Sequence, residues 1–212
     1  VEEYYRVRYT SERMYLRDYE RTMTQIPDTG RMYANDKIRL GITDENVDMV
    51  ESTDGNTVVF SDRGQLLCYN AVTNGLTVIF SFYDKDNADC RTLYDHHGIK
   101  ILDVDEGGNV KFAVYGYMNR GRHEGETGIQ ILSYDNSLNT IEEEVYIPYS
   151  KSYAVLKDEM GQLLYRNRQQ HLYFFLENGV YDVDLENRSA EQLVSIRQDD
   201  SLQVSENHEI IV

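Results

Sequence analysis

The stretch that decides the fold is residues 47–82, which read VDMVESTDGNTVVFSDRGQLLCYNAVTNGLTVIFSF. Four short apolar runs within it are rich in the β-branched and aromatic residues that favour strands. Three turn-forming groups separate the runs, namely Asp54-Gly55-Asn56, Asp62-Arg63-Gly64 and Thr73-Asn74-Gly75. Glycine and asparagine supply the positive φ values that tight hairpin turns require. The stretch therefore predicts four antiparallel strands joined by three tight turns.

The same unit occurs twice more along the chain. The second copy comprises GIKILDV (98–104), VKFAVYGYM (110–118), GIQILSY (128–134) and TIEEEVYI (140–147). The third comprises SYAVLKD (152–158), QLLYRN (162–167), HLYFFLENGVYDVD (171–184) and AEQLVSI (190–196), with a strand predicted in each segment. One junction recurs before the last strand of every copy, at Asn70, Asp135 and Asp184. A repeat of roughly 40 to 50 residues that carries four strands is typical of a β-propeller blade.

The predicted fold is all-β, a β-propeller with four-stranded antiparallel blades near residues 47–82, 99–147 and 151–196. Stacked blades cover both faces of each sheet, which agrees with apolar residues at consecutive positions in TVVF and LYFFL. A two-sheet sandwich is the main alternative, but it does not predict the recurring junction. Residues 1–40 and 201–212 are predicted to form partial blades, with strands favoured over a helix in residues 4–25. We expect about three complete blades from a larger propeller, the alternative being a closed ring of about four blades.

The charge of the chain excludes a general affinity for polyanions. The 212 residues include 37 Asp and Glu against 21 Lys and Arg, a formal net charge of −16. This charge repels the phosphates of nucleic acid and anionic membrane surfaces. No apolar run approaches the roughly 18 residues that a membrane-spanning helix needs, so no transmembrane segment is predicted. Cys68 is predicted to be a core thiol and Cys90 a loop thiol, in preference to a disulfide.

Residues 102–117 read LDVDEGGNVKFAVYGY and place two aspartates and two glycines before a strand-like run. This pattern resembles the calcium loop of FG-GAP repeats in integrin-type β-propellers. The resemblance puts Asp103 and Asp105 at the first two ligand positions. It puts Gly108 at the turn glycine and Gly116 at the glycine that ends the strand. It implies a loop between the first and second strands of a blade, which is where the repeat pattern also places these residues.

Two ligand positions of this loop depart from the family pattern. Gly107 and Lys111 stand where the family has oxygen ligands, so two carboxylates are missing. Calcium takes roughly six to eight oxygen ligands, and its affinity follows the number of carboxylates. Asp103, Asp105 and an oxygen from Asn109 leave the site short of ligands. We therefore expect a hairpin turn in which the adjacent glycines supply positive φ, in preference to calcium, and we expect no other cofactor.

The loop at residues 119–127, NRGRHEGET, is predicted to be the binding site. It is the longest insertion inside a predicted blade, and it would emerge on the face opposite the Asp103 loop. Loops that are longer than a connection requires commonly carry function. The candidate binding residues suit a carboxylate or phosphate and are Arg120, Arg122, His123, Glu124 and Glu126, with His97 placed on the same face. A zinc site at His96 and His97 would need further ligands and is disfavoured.

These observations predict a non-catalytic recognition or scaffolding propeller domain whose ligand is a protein or a carbohydrate. The sequence has no nucleophile elbow, no phosphate-binding loop and no zinc-protease motif. Its Tyr-rich strands and YGYMNRG at residues 115–121 resemble uncharacterised propeller ectodomains of Gram-positive bacteria. That resemblance implies a location outside the cytoplasm or at the cell surface. Two alternatives stay open, a carbohydrate-active, glycosidase-like propeller and a regulatory propeller attached to an enzyme on the same chain.

Overall fold

The structure is a computed structural model that describes most of the chain. The described residues are 2–22, 33–34, 37–38, 40, 42, 47–83, 90–167, 169–187, 189–197, 203–204 and 210–211. The chain divides into two compact units, Val1–Thr43 and Asp44–Val212.

The first unit is built from antiparallel strand pairs. Strands β1 (Glu2–Tyr9) and β2 (Met14–Thr22) pair along their length, and β3 (Tyr33–Ala34) pairs with β4 (Lys37–Ile38). The preference for strands in residues 4–25 is confirmed as far as Thr22, and residues 23–25 lie outside the described residues. The assignment of residues 1–40 to a partial blade stays a prediction.

The second unit contains three four-stranded antiparallel sheets, each joining consecutive strands in chain order. Blade 1 comprises β5 (Met49–Glu51), β6 (Thr57–Asp62), β7 (Gln65–Asn70) and β8 (Gly75–Ser81). Blade 2 comprises β9 (His97–Val104), β10 (Val110–Tyr117), β11 (Thr127–Asp135) and β12 (Thr140–Pro148). Blade 3 comprises β13 (Leu164–Arg166), β14 (His171–Leu176), β15 (Gly179–Asp184) and β16 (Ser189–Ser195). The predicted all-β fold with three complete propeller-type blades is confirmed.

The remaining elements are short. A 3₁₀ helix, Cys90–Leu93, precedes blade 2, and β17 (Gln203–Val204) pairs with β18 (Ile210–Ile211) after blade 3. Cys68 is buried and Cys90 is exposed, and the two do not form a disulfide, as predicted.

Among the described residues, no helix is long and apolar enough to cross a membrane.

The junction that recurs in the sequence is the same side-chain-capped turn in all three blades. The Asn70 side-chain oxygen accepts hydrogen bonds from the backbone N–H groups of Val72 and Thr73, at 3.0 and 2.9 Å. Asp135 accepts from the two equivalent N–H groups in blade 2, and Asp184 does so in blade 3. Asparagine and aspartate are found here because their short side chains bond to the backbone two and three residues ahead.

One predicted strand is wrong. Residues 152–158 were predicted to be the first strand of the third blade, but Tyr153–Gln162 form a helix, α1. The buried residues of α1 are Leu156, Glu159 and Met160, whose spacing of three and four residues is that of one helix face. Four strands are still present, because HLYFFLENGVYDVD is two strands that turn at Glu177 and Asn178, both with positive φ.

The blades pack face to face, with their first strands inside. Strand β9 contacts β5 and β6 of blade 1 and β13 of blade 3, which defines the inner edge of the sheets. One buried cluster joins blades 1 and 2 and includes Val59, Leu66, Phe112 and Val114. Another joins blades 2 and 3 through α1 and includes Ile131, Leu156 and Phe174. The fourth strands β8, β12 and β16 are the more exposed, so they form the outer edges.

Candidate functional site

The FG-GAP-like loop forms a closed hairpin turn. The carboxylate of Asp105 accepts hydrogen bonds from the backbone N–H and the side-chain amide of Asn109, at 2.9 and 2.8 Å. Gly108 has φ +78°, so it supplies the positive φ expected of this turn. The Asn109 side-chain oxygen in turn accepts from the backbone of Asn136, at 2.9 Å, in the neighbouring hairpin. The oxygens of Asp105 and Asn109 are therefore used within the protein.

The other two residues of this loop lie on paired strands. Asp103 of β9 is exposed and lies opposite Lys111 of β10. The Lys111 ammonium binds Glu144 on β12, with Nζ to Oε1 at 2.8 Å. Among the described residues, no group of three or more His, Cys, Asp or Glu is placed to hold a metal ion. The expectation that calcium does not bind at Asp103, Asp105 and Asn109 is not tested by this geometry and stays a prediction.

The predicted binding loop at residues 119–127 is tied to β12 by Glu143. His123 Nε2 lies 3.1 Å from a Glu143 carboxylate oxygen, and the imidazole stacks on Tyr146 with ring centroids 3.6 Å apart. Gln130 donates to the same carboxylate at 2.6 Å, and Arg122 lies 3.6 Å from it. Burial acts to raise the pKa of Glu143, but the bonds from Gln130 and His123 and the nearby positive charge outweigh it and lower that pKa.

Of the other predicted residues of this loop, Glu126 joins that cluster, whereas Glu124 and Arg120 do not. Glu126 lies 3.5 Å from His123 Nδ1, whereas Glu124 forms an ion pair with Arg91. Arg120 is partly exposed at the start of the loop. The structure thus brings Arg122, His123 and Glu126 together and holds His123 inside the fold.

His97 belongs to a different feature, which we call the inner-edge pocket. It is a cavity of about 310 Å³ where the inner strands of blades 1 and 2 meet α1. The residues that line it are Val47, Ser61, Asp62, Arg63, Gly64, Asp95, His97, Gly98, Ile99, Tyr115, Tyr153 and Lys157. The pocket opens at the strand ends that also carry the 119–127 loop, because the β6–β7 turn and the β10–β11 loop lie at the same end of their sheets.

His97 is held within the wall of this pocket. The residue is 9% exposed, its Nε2 lies 3.2 Å from the Gly64 carbonyl oxygen, and its ring packs edge-on against Phe82. A Cβ on Gly64, which has φ +73°, would lie 2.8 Å from Nε2, so only glycine allows this approach. Nδ1 is buried without a hydrogen-bond partner in the described part of the chain.

Burial lowers the pKa of His97 against smaller opposing effects from the Gly64 carbonyl, the Asp95 charge and the Tyr94 carbonyl. The imidazole is therefore neutral at pH 7, because its ordinary pKa is already about 6.5. A carbonyl oxygen only accepts hydrogen bonds, so the Gly64 contact favours a proton on Nε2. His97 therefore fixes the wall of the pocket through Nε2, and its buried Nδ1 is not exposed to the cavity.

Aromatic rings form a chain along the rim of the pocket. Tyr94 stacks on His96 at a centroid distance of 4.1 Å, and His96 lies 5.9 Å from Tyr153. Tyr153 is 6.5 Å from Tyr115, between centroids, across the pocket. Burial, with smaller contributions from Tyr115 and Asp95, raises the pKa of Tyr153 to about 12. Its hydroxyl therefore stays protonated and available as a donor. Tyr94 is 45% exposed, so the outer end of this chain faces solvent.

Charged side chains of both signs complete the inner-edge pocket. Asp62 and Arg63 come from the β6–β7 turn and lie 3.9 Å apart between Oδ2 and Nε. Asp95 precedes β9, and Lys157 extends from α1 one turn after Tyr153. Such a wall offers hydrogen-bond donors and acceptors to one small polar ligand.

Sequence reasoning found His97 but missed most of this pocket. Tyr153 and Lys157 point to one site only when residues 153–162 are helical, since residues four apart share a helix face. Asp62 and Arg63 were recognised as turn residues, and nothing in their local pattern distinguishes a turn that lines a cavity. The repeat did predict that loops of this face would lie together, and the Asn119 amide indeed donates to the Tyr94 carbonyl, at 2.9 Å.

Comparison with known proteins assigns the chain to no family. No known protein family matches the sequence, and no curated protein matches it. Among solved structures, it is similar to an oligogalacturonate lyase in complex with manganese, at 13% identity and a TM-score of 0.43, over 71% of this chain and 36% of the lyase.

Two other similar structures have different roles. The extracellular domain of a putative one-component system from B. thetaiotaomicron is 13% identical, with a TM-score of 0.39, over 93% of this chain and 22% of that one. The WD40 domain of SCAP from fission yeast is 14% identical, with a TM-score of 0.26, over 80% of this chain and 47% of that one. The chain spans less than half the length of each of these three proteins, and the similarities assign it no activity.

Proposed function

We propose that this protein is a non-catalytic recognition domain that binds a saccharide in the inner-edge pocket, outside the cytoplasm. The observation that carries the proposal is the convergence, in one cavity, of aromatic rings and charged side chains of both signs. The extracytoplasmic location rests on the resemblance of the Tyr-rich strands to propeller ectodomains. Protease treatment of intact cells, followed by immunoblotting, checks that location.

The chemistry of a sugar ring fits the parts of this pocket. A sugar presents C–H faces that pack on aromatic rings, here Tyr153 and Tyr115, and hydroxyls that donate and accept hydrogen bonds. The sugar hydroxyls donate to the Asp95 carboxylate, and Lys157 donates to a hydroxyl or a uronate carboxylate. A cavity of 310 Å³ is at the small end of ligand sites, which run from about 300 to 1,000 Å³. It accommodates a single ring of a longer chain.

A glycan array followed by calorimetry of the best neutral and acidic oligosaccharides tests the proposal. Asp95→Asn and Lys157→Ala should each weaken binding by about tenfold, because each removes a charge-assisted hydrogen bond. Asp158→Asn is the matched control, since Asp158 is exposed on α1 and does not line the pocket. Absence of saccharide binding at millimolar concentration, or equal affinities for the three variants and the parent, rejects the proposal.

A glycosidase is the second candidate, because Asp62 and Asp95 line the same pocket as Tyr115 and Tyr153. Paired carboxylates beside a bound sugar are the catalytic groups of most glycosidases. This candidate requires release of reducing ends from a bound oligosaccharide, with loss of release in both Asp62→Asn and Asp95→Asn. Binding without any release, followed by NMR over days, leaves the recognition function.

A further inference from the structure

A second cavity lies on the outer side of the junction between blades 2 and 3. It has a volume of about 660 Å³, and it runs between β12 and the sheet of blade 3. Its apolar lining comprises Val145, Ile147, Phe174, Leu176, Tyr181 and Val183. Arg122 and Glu143 lie at one rim, and Ser189 and Ala190 of β16 lie at the other. We call this cavity the interblade groove. It shares no residue with the inner-edge pocket.

The interblade groove continues into an acidic end. A neighbouring cavity of about 310 Å³ shares Glu143 and Glu144 with the groove and adds Glu142 and Glu186 to its lining. Glu144 binds Lys111 and Arg166, and Glu143 lies 3.6 Å from Arg122 and 3.1 Å from His123. Glu142 and Glu186 are exposed, and neither forms an ion pair within the part of the chain that the structure describes. The acidic end therefore presents two exposed carboxylates beside an apolar channel.

The β12 side of the groove offers backbone groups as well as side chains. Strand β12 (Thr140–Pro148) is the last strand of its sheet, and its outer edge pairs with no strand in the described ranges. An unpaired edge presents N–H and C=O groups that an extended peptide can bond to. Alternate side chains of such a peptide point the same way, which places two or three of them in the groove.

We propose that the interblade groove binds an extended peptide whose alternating apolar side chains are followed by basic residues. The apolar side chains lie over Val145, Phe174 and Tyr181, and the basic residues reach Glu142 and Glu186. The charge complementarity selects this occupant, because the groove is apolar at one end and two exposed carboxylates, Glu142 and Glu186, lie at the other. The proposal is independent of saccharide binding, which uses the other cavity.

Fluorescence anisotropy with a defined probe tests this proposal on the full chain. The probe is a fluorescein-labelled peptide of about ten residues in which Leu alternates with Ser before an Arg-Arg-Arg tail. We expect saturable binding, with loss when the Arg tail is replaced by Glu or the Leu residues by Ser. Binding should weaken as salt is raised, since the exposed carboxylates are screened.

Two sets of variants locate the binding site. Ala190→Trp fills the groove from an exposed strand position and should weaken binding by at least about tenfold. Its matched control is Leu76→Trp, at the equivalent position of β8 in blade 1, next to the capped turn. The double variant Glu142→Gln/Glu186→Gln should weaken binding about fivefold, as two exposed charges contribute modestly. Its control is Glu51→Gln/Glu106→Gln, which removes two exposed carboxylates elsewhere.

The results of these binding measurements either support the peptide proposal or contradict it. Weaker binding in both groove variants and unchanged binding in both controls support the proposal. If the parent chain shows no saturable binding at millimolar peptide, or if the groove variants bind as tightly as their controls, the proposal is wrong. Circular dichroism and thermal melts of each variant exclude loss of folding as the cause, and the carboxylate variants keep the test valid if Ala190→Trp fails to fold.

Discussion

The two faces of blade 2 pack against neighbours in different ways. Towards blade 1, the buried cluster is built from aliphatic and aromatic side chains, with Phe112, Val110 and Val114 fully buried at its centre. Towards blade 3, the helix α1 lies against the sheet near the inner edge, and the interblade groove is open at the outer edge. The ion cluster of Lys111, Glu144 and Arg166 also lies on this side, with Arg166 buried and Lys111 and Glu144 partly exposed.

A feature shared by the blades explains part of this difference. Each fourth strand contains a β-bulge at the same place, where one residue is left without a partner on the third strand. The extra residue is Ile79 in blade 1 and Leu193 in blade 3, but it is Glu144 in blade 2. A bulge turns a side chain out of the regular alternation of the strand. The same β-bulge therefore adds an apolar side chain to the packing of blade 1 and places a charge between blades 2 and 3.

We infer that the contact between blades 1 and 2, the first junction, mainly stabilises the fold. The contact between blades 2 and 3, the second junction, supplies binding surfaces. A dry, close-packed cluster contributes more free energy per side chain than one that reaches an open cavity. Burial of an ion cluster contributes less than apolar packing of the same volume.

The largest effect is expected from Phe112→Ala. Phe112 has no exposed surface, so the truncation leaves a cavity and should lower the free energy of unfolding by about 3–5 kcal/mol. Phe174→Ala is the matched variant in the second strand of blade 3, and its loss should be smaller by about 1 kcal/mol or more, since Phe174 already lines the interblade groove. Urea unfolding monitored by circular dichroism measures both. Equal losses in the free energy of unfolding would show that the contact between blades 1 and 2 is packed no more closely than the contact between blades 2 and 3.

The next effect is expected from Arg166→Met. Arg166 has a side chain that is 2% exposed and lies 2.9 Å from Glu144, so its removal leaves a largely buried carboxylate with one cation. The free energy of unfolding should fall by about 3 kcal/mol. The double variant Arg166→Met/Glu144→Gln should lose less than the sum of the single losses, because the charges are removed together.

The control for Arg166→Met is an ion pair at the first junction. Lys100 lies 3.2 Å from Asp48 with 46% of its side chain exposed, and Lys100→Met should cost less than about 1 kcal/mol. If Lys100→Met lowers the free energy of unfolding as much as Arg166→Met does, the stabilising charges are not confined to the contact between blades 2 and 3.

The repeat pattern predicted the blades because each depends on local signals. Turn residues, strand-forming runs and the capped turns at Asn70, Asp135 and Asp184 are all properties of a few adjacent residues. The helix α1 was missed because its apolar residues are few. Leu156 and Met160 face the core together with Glu159, whose carboxylate accepts a hydrogen bond from the Tyr149 hydroxyl at 2.8 Å. A buried glutamate hides the apolar face that normally indicates a helix.

The sites were harder to predict, because they depend on contacts between distant segments. His97 and Asp62 line one pocket although they are separated by most of a blade in sequence. The basic and acidic residues of the 119–127 loop suggested a binding loop, but the sequence does not reveal that Glu143 lies beneath them and binds His123. Charge composition alone cannot separate residues that bind one another from residues that bind a ligand.

The smallest effect concerns the pH dependence of Glu144. Burial acts to raise its pKa, but the hydrogen bond from Lys111 and the charges of Arg166 and Lys111 outweigh it, so the pKa is lowered in the folded state. A carboxylate whose pKa is lower when folded stabilises the protein above its unfolded pKa of about 4.3, and this contribution is lost as the pH falls through the folded pKa.

Glu144→Gln should therefore be less stable than the parent at pH 7, and the difference should shrink as the pH falls below about 4.3. Urea unfolding of both proteins across this range measures the difference directly. In a Lys111→Met background the difference at pH 7 should be smaller, because the largest stabilising partner is gone. A difference that stays constant down to the acid transition, or that grows as the pH falls, shows that the charge at the bulge is not stabilised by its two cations.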